Sequence, residues 1–169
     1  FEGGMRVMTI FKGPNIQTGI VEDIGSQLDF FTTILTLAEI ESPFNPEDSY
    51  DLSQTLRYKK SSPRQTIPYF VGSELRAFRY KNHKIHFVTQ GAYNLPPKRV
   101  EHEIPLLFNL EADIGEEEAL SNLSLIEEVN RQADLFKDGL KIRNSILDIQ
   151  YIDLQLSLIH ISEPTRPNE

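Results

Sequence analysis

Apolar residues recur with two different periods along this chain, and the change of period divides it. Val7, Ile10 and Phe11 belong to a short β-rich run closed by Gly13-Pro14, which predicts a buried strand over residues 7–11 ending in a turn. Ser26 then offers an N-cap. Leu28, Phe31, Ile34, Leu35 and Ala38 follow at helical spacing up to Ser42-Pro43, so a helix with one apolar face is expected. A strand followed by such a helix fits the edge of an α/β sheet.

Residues 43–63 are polar, proline-punctuated and aperiodic apart from Leu52 and Leu56, which predicts a connection crossing the surface. Beyond them the period falls to two. Residues 67–71, 75–80, 84–89 and 106–110 read as strands of a small antiparallel sheet. Gly72-Ser73 and Lys81-Asn82 are its tight turns, and a longer Pro-containing loop precedes the last strand. Over residues 124–141 the helical period returns: Leu125, Val129, Ala133, Phe136 and Leu140 share one face, while Glu127, Glu128, Arg131, Asp134 and Lys137 lie away from it. One apolar stripe packed on a small sheet makes an α+β unit. Glu116-Glu117-Glu118, just ahead, reads as favourable charge at a helix start rather than a metal site.

Within the strand at 84–89, alternation places Lys84, His86 and Val88 on one side and Ile85 and Phe87 on the other. His86 is therefore the histidine to weigh as a substrate contact, against the ordinary role of a hydrogen-bonded packing residue. His83 and His102 lack the ligand spacing of a zinc site. Neither a G-x-S-x-G nucleophile setting nor a G-x-G-x-x-G phosphate loop occurs.

Several strings, in order, carry a resemblance. The chain opens on Phe1-Glu2-Gly3-Gly4-Met5-Arg6-Val7. It continues through Ser62-Pro63-Arg64-Gln65, Leu75-Arg76-Ala77-Phe78-Arg79-Tyr80, Lys84-Ile85-His86-Phe87-Val88-Thr89-Gln90-Gly91 and Glu103-Ile104-Pro105-Leu106-Leu107-Phe108-Asn109-Leu110. This order resembles the C-terminal part of sulfatases of the arylsulfatase A type, and ordered agreement at several places is more specific than one motif. The resemblance implies an alkaline-phosphatase-like α/β fold, of which residues 1–42 would end the catalytic domain. Residues 43–66 would connect it to a small α+β C-terminal subdomain over 67–155.

The resemblance also implies a sulfate ester hydrolase with a formylglycine made from cysteine. A calcium or magnesium ion and Lys, His and Arg groups would neutralise charge developing on the sulfate. This chain has no cysteine, no C-x-P-x-R and no counterpart of the Asp and Asn metal ligands, so it is expected to contain no catalytic residue and to bind no metal by itself. The opening resembles the stretch after the sulfate-binding lysine, which makes Gly3 and Gly4 candidate substrate-binding positions, glycine pairs permitting a loop near an anion. Met8, Thr32 and Ile114 stand where the family commonly has proline, and Glu39 where it has glycine. A non-catalytic, sulfatase-like module binding a glycan or partner is the competing reading.

Composition narrows this further. At 169 residues and 39% hydrophobic the chain could build one domain, yet intact sulfatases are several times longer by resemblance, so a piece is expected. A net charge of −8 argues against nucleic acid, and the cluster Arg57, Lys59, Lys60 and Arg64 reads as a solvated loop. No stretch approaches the roughly 18 apolar residues of a membrane span. The expected partners of the parent are a sulfated small molecule, glycan or lipid, with a homo-oligomer allowed, and its expected location is lysosomal or secreted. Asn122-Leu123-Ser124 satisfies the N-glycosylation pattern, meaningful in a secreted or lysosomal parent. Residues 156–166 resemble a translated transposase-type sequencing adapter, and residues 156–169 are set aside as an artefact.

Overall fold

The computed structural model describes residues 1–42, 44, 46–92 and 95–140. The chain divides into two compact units, Phe1–Leu135 and Phe136–Glu169. The adapter-like tail and residues 141–155 of the expected subdomain lie outside the described residues. Elements follow in the order of a single 3-10 turn (Glu2–Gly4), α1 (Asp29–Leu37), α2 (Ser53–Tyr58), β1 (Thr66–Val71), β2 (Glu74–Tyr80), β3 (His83–Thr89), β4 (Val100–Asn109) and α3 (Leu123–Asp138).

The four strands form one antiparallel sheet in the order β1-β2-β3-β4. Both predicted tight turns close through a left-handed residue, Gly72 at φ 61° and Lys81 at φ 53°. Register pairs Phe78 with Ile85 and Ile85 with Leu107, so these three share a face. All three are fully buried, and together with Ile126, Val129 and Ala133 of α3 they form the apolar core. Each large apolar side chain so buried contributes about 1.5–3 kcal/mol. The opposite face carries Tyr69, Ala77, Arg79, Lys84, His86 and Phe108, through the pairs Tyr69 with Ala77, Ala77 with His86, Arg79 with Lys84 and Lys84 with Phe108. That face is polar, yet much of it is buried.

Four expectations are corrected. Residues 7–11 form no strand: Met8 is 90% and Ile10 83% exposed, because a strand needs a ladder partner and none of the described residues supplies one. The expected connection at 43–63 contains α2, whose buried Leu52 and Leu56 are one helical turn apart. The last strand begins at Val100 rather than 106. Its first half lies at the sheet margin with Val100 and Ile104 exposed, so no clean alternation marks it. In α3 Val129 and Ala133 are buried as expected, but the buried residue of the first turn is Ile126 rather than the expected Leu125.

Helix α1 forms close to where it was expected, with its apolar row exposed and its polar side buried. Asp29 and Thr33 are buried, whereas Leu28 and Ile34 are 58% and 53% exposed. The polar side is buried because it is fully bonded. Asp29 receives the Arg64 guanidinium on both oxygens, Nε to Oδ2 at 2.7 Å and Nη2 to Oδ1 at 2.6 Å, together with the amides of Ser26 and Tyr50. Thr33 Oγ1 accepts the Leu52 amide at 2.9 Å. Arg64 also stacks over the Tyr50 ring at 4.7 Å. It is thus an internal clamp between α1 and the start of the sheet, not part of a solvated basic loop.

Candidate functional site

The buried polar face of the sheet is covered by two short segments. The first is the 3-10 turn, held by its own carbonyls: the amides of Met5 and Arg6 donate to the Glu2 carbonyl at 2.9 and 2.8 Å. The second is the loop after β4, which wraps on the Asp113 carboxylate, whose Oδ2 accepts the amides of Glu117 and Glu118, both at 2.9 Å. This turn pushes Glu116 inward with a positive φ of 56°. An L-residue there costs roughly 1–2 kcal/mol, and persists only where its surroundings impose it. Glu116 was expected as favourable charge at a helix start; it lies instead before α3, which begins at Leu123, and is buried against Lys84 and His86.

Lys84 is the centre of the arrangement. Its Nζ donates to Glu2 Oε1 at 3.0 Å and lies 2.6 Å from Glu116 Oε1 as an ion pair. It also sits 4.3 Å above the Tyr69 ring. The Tyr69 hydroxyl donates to Glu2 Oε1 at 3.0 Å, and Arg79 Nη1 stands 3.8 Å from Glu2 Oε2. His86 Nε2 meets Glu116 Oε2 at 3.1 Å, with its ring edge-on to Phe108 at 5.6 Å and tilted to Phe1 at 5.3 Å. A lone buried lysine would be costly, and two carboxylates around it make it tolerable.

Electrostatics follows from the geometry. Burial alone would raise the Glu116 pKa, but the hydrogen bond from His86 and the charge of Lys84 outweigh it and hold the carboxyl below its usual range. Burial, and then the negative charge of Glu2, push the Tyr69 phenol well above its ordinary value, so it stays a donor.

Of the sequence candidates, His86 lies inside this network with its Nε2 engaged, and the predicted sharing of a face with Lys84 holds. Gly3 and Gly4 follow Glu2 directly and are exposed. A Cβ at either would meet nothing within 4 Å, and neither takes a positive φ. Their missing side chains leave the outer surface of the turn bare for close approach. Asn122 lies apart from them, exposed at the start of α3. Glu2 and Tyr69 were not singled out from sequence, Lys84 was noted only for sharing a face with His86, and Glu116 only as helix-start charge. A lysine alternating with core positions in β3 was the available sign, since a buried lysine demands a carboxylate.

No cluster of three or more His, Cys, Asp or Glu side chains among the described residues is arranged to hold a metal ion. Glu2 and Glu116, the two buried carboxylates of this network, both pair with Lys84. These residues therefore do not fit the calcium or magnesium ion that the resemblance implies.

Residues 62–168 match the family described as the C-terminal region of aryl-sulfatase. The chain belongs to that sulfatase family. It is 33% identical over 149 residues to arylsulfatase A of Bos taurus, covering 79% of this chain and 28% of that protein. It is 35% identical over 143 residues to N-acetylgalactosamine-6-sulfatase of Sus scrofa, covering 72% of this chain and 27% of that protein. The fold is similar to that of the PsFucS1 sulfatase from Pseudoalteromonas sp., with a TM-score of 0.53 at 21% identity over 65% of this chain and 24% of the other. This sulfatase chain thus spans about 28% of the length of the bovine relative. Its buried network ties the Glu2-Gly3-Gly4 turn to the sheet of the sulfatase C-terminal region. No helix among its described residues is long and apolar enough to cross a membrane.

Proposed function

We propose that this chain is the C-terminal part of a sulfatase hydrolysing sulfate esters, and that its sheet anchors the Glu2-Gly3-Gly4 turn beside the sulfate site. The single observation that carries this is the buried set of contacts from Glu2 to Lys84, Tyr69 and Arg79, braced by Glu116. Glu2 is fixed by its side chain, while Gly3 and Gly4 stay bare and outward. Such a turn offers backbone to an anion without a side chain in the way. His86 acts here through Glu116, as a positioning residue behind the turn.

In this reading the formylglycine nucleophile and the calcium or magnesium ion come from sulfatase segments outside this chain. The substrate is a sulfated small molecule, glycan or lipid, and the parent works in the lysosome or outside the cell, as the arylsulfatase resemblance implies. The exposed apolar row of Leu28, Phe31 and Ile34 on α1 supports placing residues 1–42 with the larger catalytic domain, where that row would be covered.

The test is to extend the reading frame upstream and assay the product on p-nitrocatechol sulfate, with Glu116→Gln in parallel. A frame containing C-x-P-x-R whose product turns over the ester, with kcat lowered in the variant, is the expected result. An extended frame lacking that motif, or a product with it that is inactive, would overturn the hydrolase reading and favour the non-catalytic binding module.

A further inference from the structure

We infer that Asn122 is a site of N-linked glycosylation, placed immediately before the first residue of α3. Asn122-Leu123-Ser124 is the one Asn-x-Ser/Thr string in the 169 residues whose middle residue is not proline. All three residues are exposed, Leu123 at 63%, so nothing on the described surface obstructs a branched glycan.

The local geometry divides the two ends of the amide. Oδ1 of Asn122 accepts the Leu125 amide at 3.2 Å, and its backbone carbonyl accepts the Ile126 amide at 3.0 Å. Asn122 therefore caps the helix through its oxygens. Its Nδ2 has no hydrogen-bond partner among the described residues and remains the group on which a sugar would be placed. A glycosylated amide keeps its carbonyl, so modification and capping coexist. The attached glycan would also shield the exposed apolar surface of Leu120 and Leu123.

In the transfer, Nδ2 attacks the anomeric carbon of a lipid-linked oligosaccharide diphosphate supplied in the lumen of the secretory pathway. The new N–C bond forms as the bond from that carbon to the diphosphate oxygen breaks. The lipid diphosphate leaves with the electron pair, and Nδ2 loses one proton. This rests on the secretory location proposed above, so the test separates the two.

The full chain is directed into the secretory pathway of cultured eukaryotic cells by a cleavable leader, beside Ser124→Ala and Asn122→Gln. Ser124→Ala leaves the cap atoms intact, and transfer precedes folding, so a folding defect does not obscure the result. The expected outcome is a slower-migrating wild-type band, collapsed by peptide-N-glycosidase with conversion of Asn122 to aspartate, and no such band in either variant. Wild-type chain reaching the lumen unmodified, or a shift persisting in Ser124→Ala, overturns the site. A natural parent that stays in the cytosol while the leader-directed chain is glycosylated sinks the location and leaves the site standing.

Discussion

Replacing Lys84 by methionine keeps most of the stem volume and removes the one cation that contacts both Glu2 and Glu116. Lys84 is 1% exposed, and its Nζ stands 3.0 and 2.6 Å from the two carboxylates. In Lys84→Met, Glu2 keeps the Tyr69 hydroxyl at 3.0 Å and Arg79 at 3.8 Å, and Glu116 keeps His86 at 3.1 Å and the Phe1 amino group at 3.9 Å, but neither keeps the buried ammonium. Breaking a buried pair from one side costs about 3–5 kcal/mol, against about 0–1 for an exposed pair. With a urea slope of about 1–3 kcal/mol per molar, the midpoint should fall by more than about 1 M. Adding Glu116→Gln should restore part of the loss by removing a stranded charge, giving a coupling of about 0.5–3 kcal/mol.

The sign of the pH dependence is fixed by the same contacts. In the wild type the Glu116 pKa lies below its unfolded value, so its stabilisation is present above the ordinary carboxylate range and is lost as pH falls through the folded pKa. Without Lys84, burial should lift the Glu116 pKa towards or above its unfolded value. The deficit of Lys84→Met then grows with pH above about 4.5 and shrinks below it. Pulse proteolysis in urea at high dilution measures this while keeping association low. A deficit under about 1 kcal/mol, or one unchanged between about pH 4.5 and pH 7, would refute the reasoning.

Three further outcomes are expected. Asp29→Asn should cost about 3–5 kcal/mol in the same melts, because it leaves Arg64 buried without its counter-charge; a loss below about 1 kcal/mol would show that the clamp is not needed. Glu39, at φ 57°, should gain up to about 1 kcal/mol as Glu39→Gly. Relief of left-handed strain exceeds the entropy lost there, and a lower midpoint would contradict it. Tyr69 keeps its proton in the folded state beyond the pH at which the unfolded chain loses it, so stability should decline above about pH 10. Tyr69→Phe should flatten that alkaline limb, and equal slopes would count against the buried hydroxyl.

The sheet was legible because its signals are local. The period of two, the Gly72-Ser73 and Lys81-Asn82 turns, and the sharing of a face by Lys84 and His86 all survive in the register. Helix α1 was legible as a helix, but the burial of its polar side was not. Which face turns inward depended on Arg64 and Tyr50, 35 and 21 residues beyond Asp29. Helix α2 was betrayed only by Leu52 and Leu56 at a spacing of four, within a segment whose prolines suggested a loop. The network at Lys84 was least legible, since its carboxylates lie 82 residues before and 30 residues after the strand residues they bind. A Glu-Glu-Glu run looks solvated until the wrap of its loop on Asp113 turns the first glutamate inward.

The anchoring of the Glu2-Gly3-Gly4 turn is tested most directly by hydrogen exchange at the amides of Met5 and Arg6, which donate to the Glu2 carbonyl. Exchange is compared between the wild type and Glu116→Gln, with the paired amides of β2 and β3 as internal reference. If Glu116 braces Lys84 and thereby Glu2, both turn amides should exchange faster in the variant while the reference amides are unchanged. Equal protection of Met5 and Arg6 in the two proteins would contradict the claim that the sheet holds this turn through its buried charges.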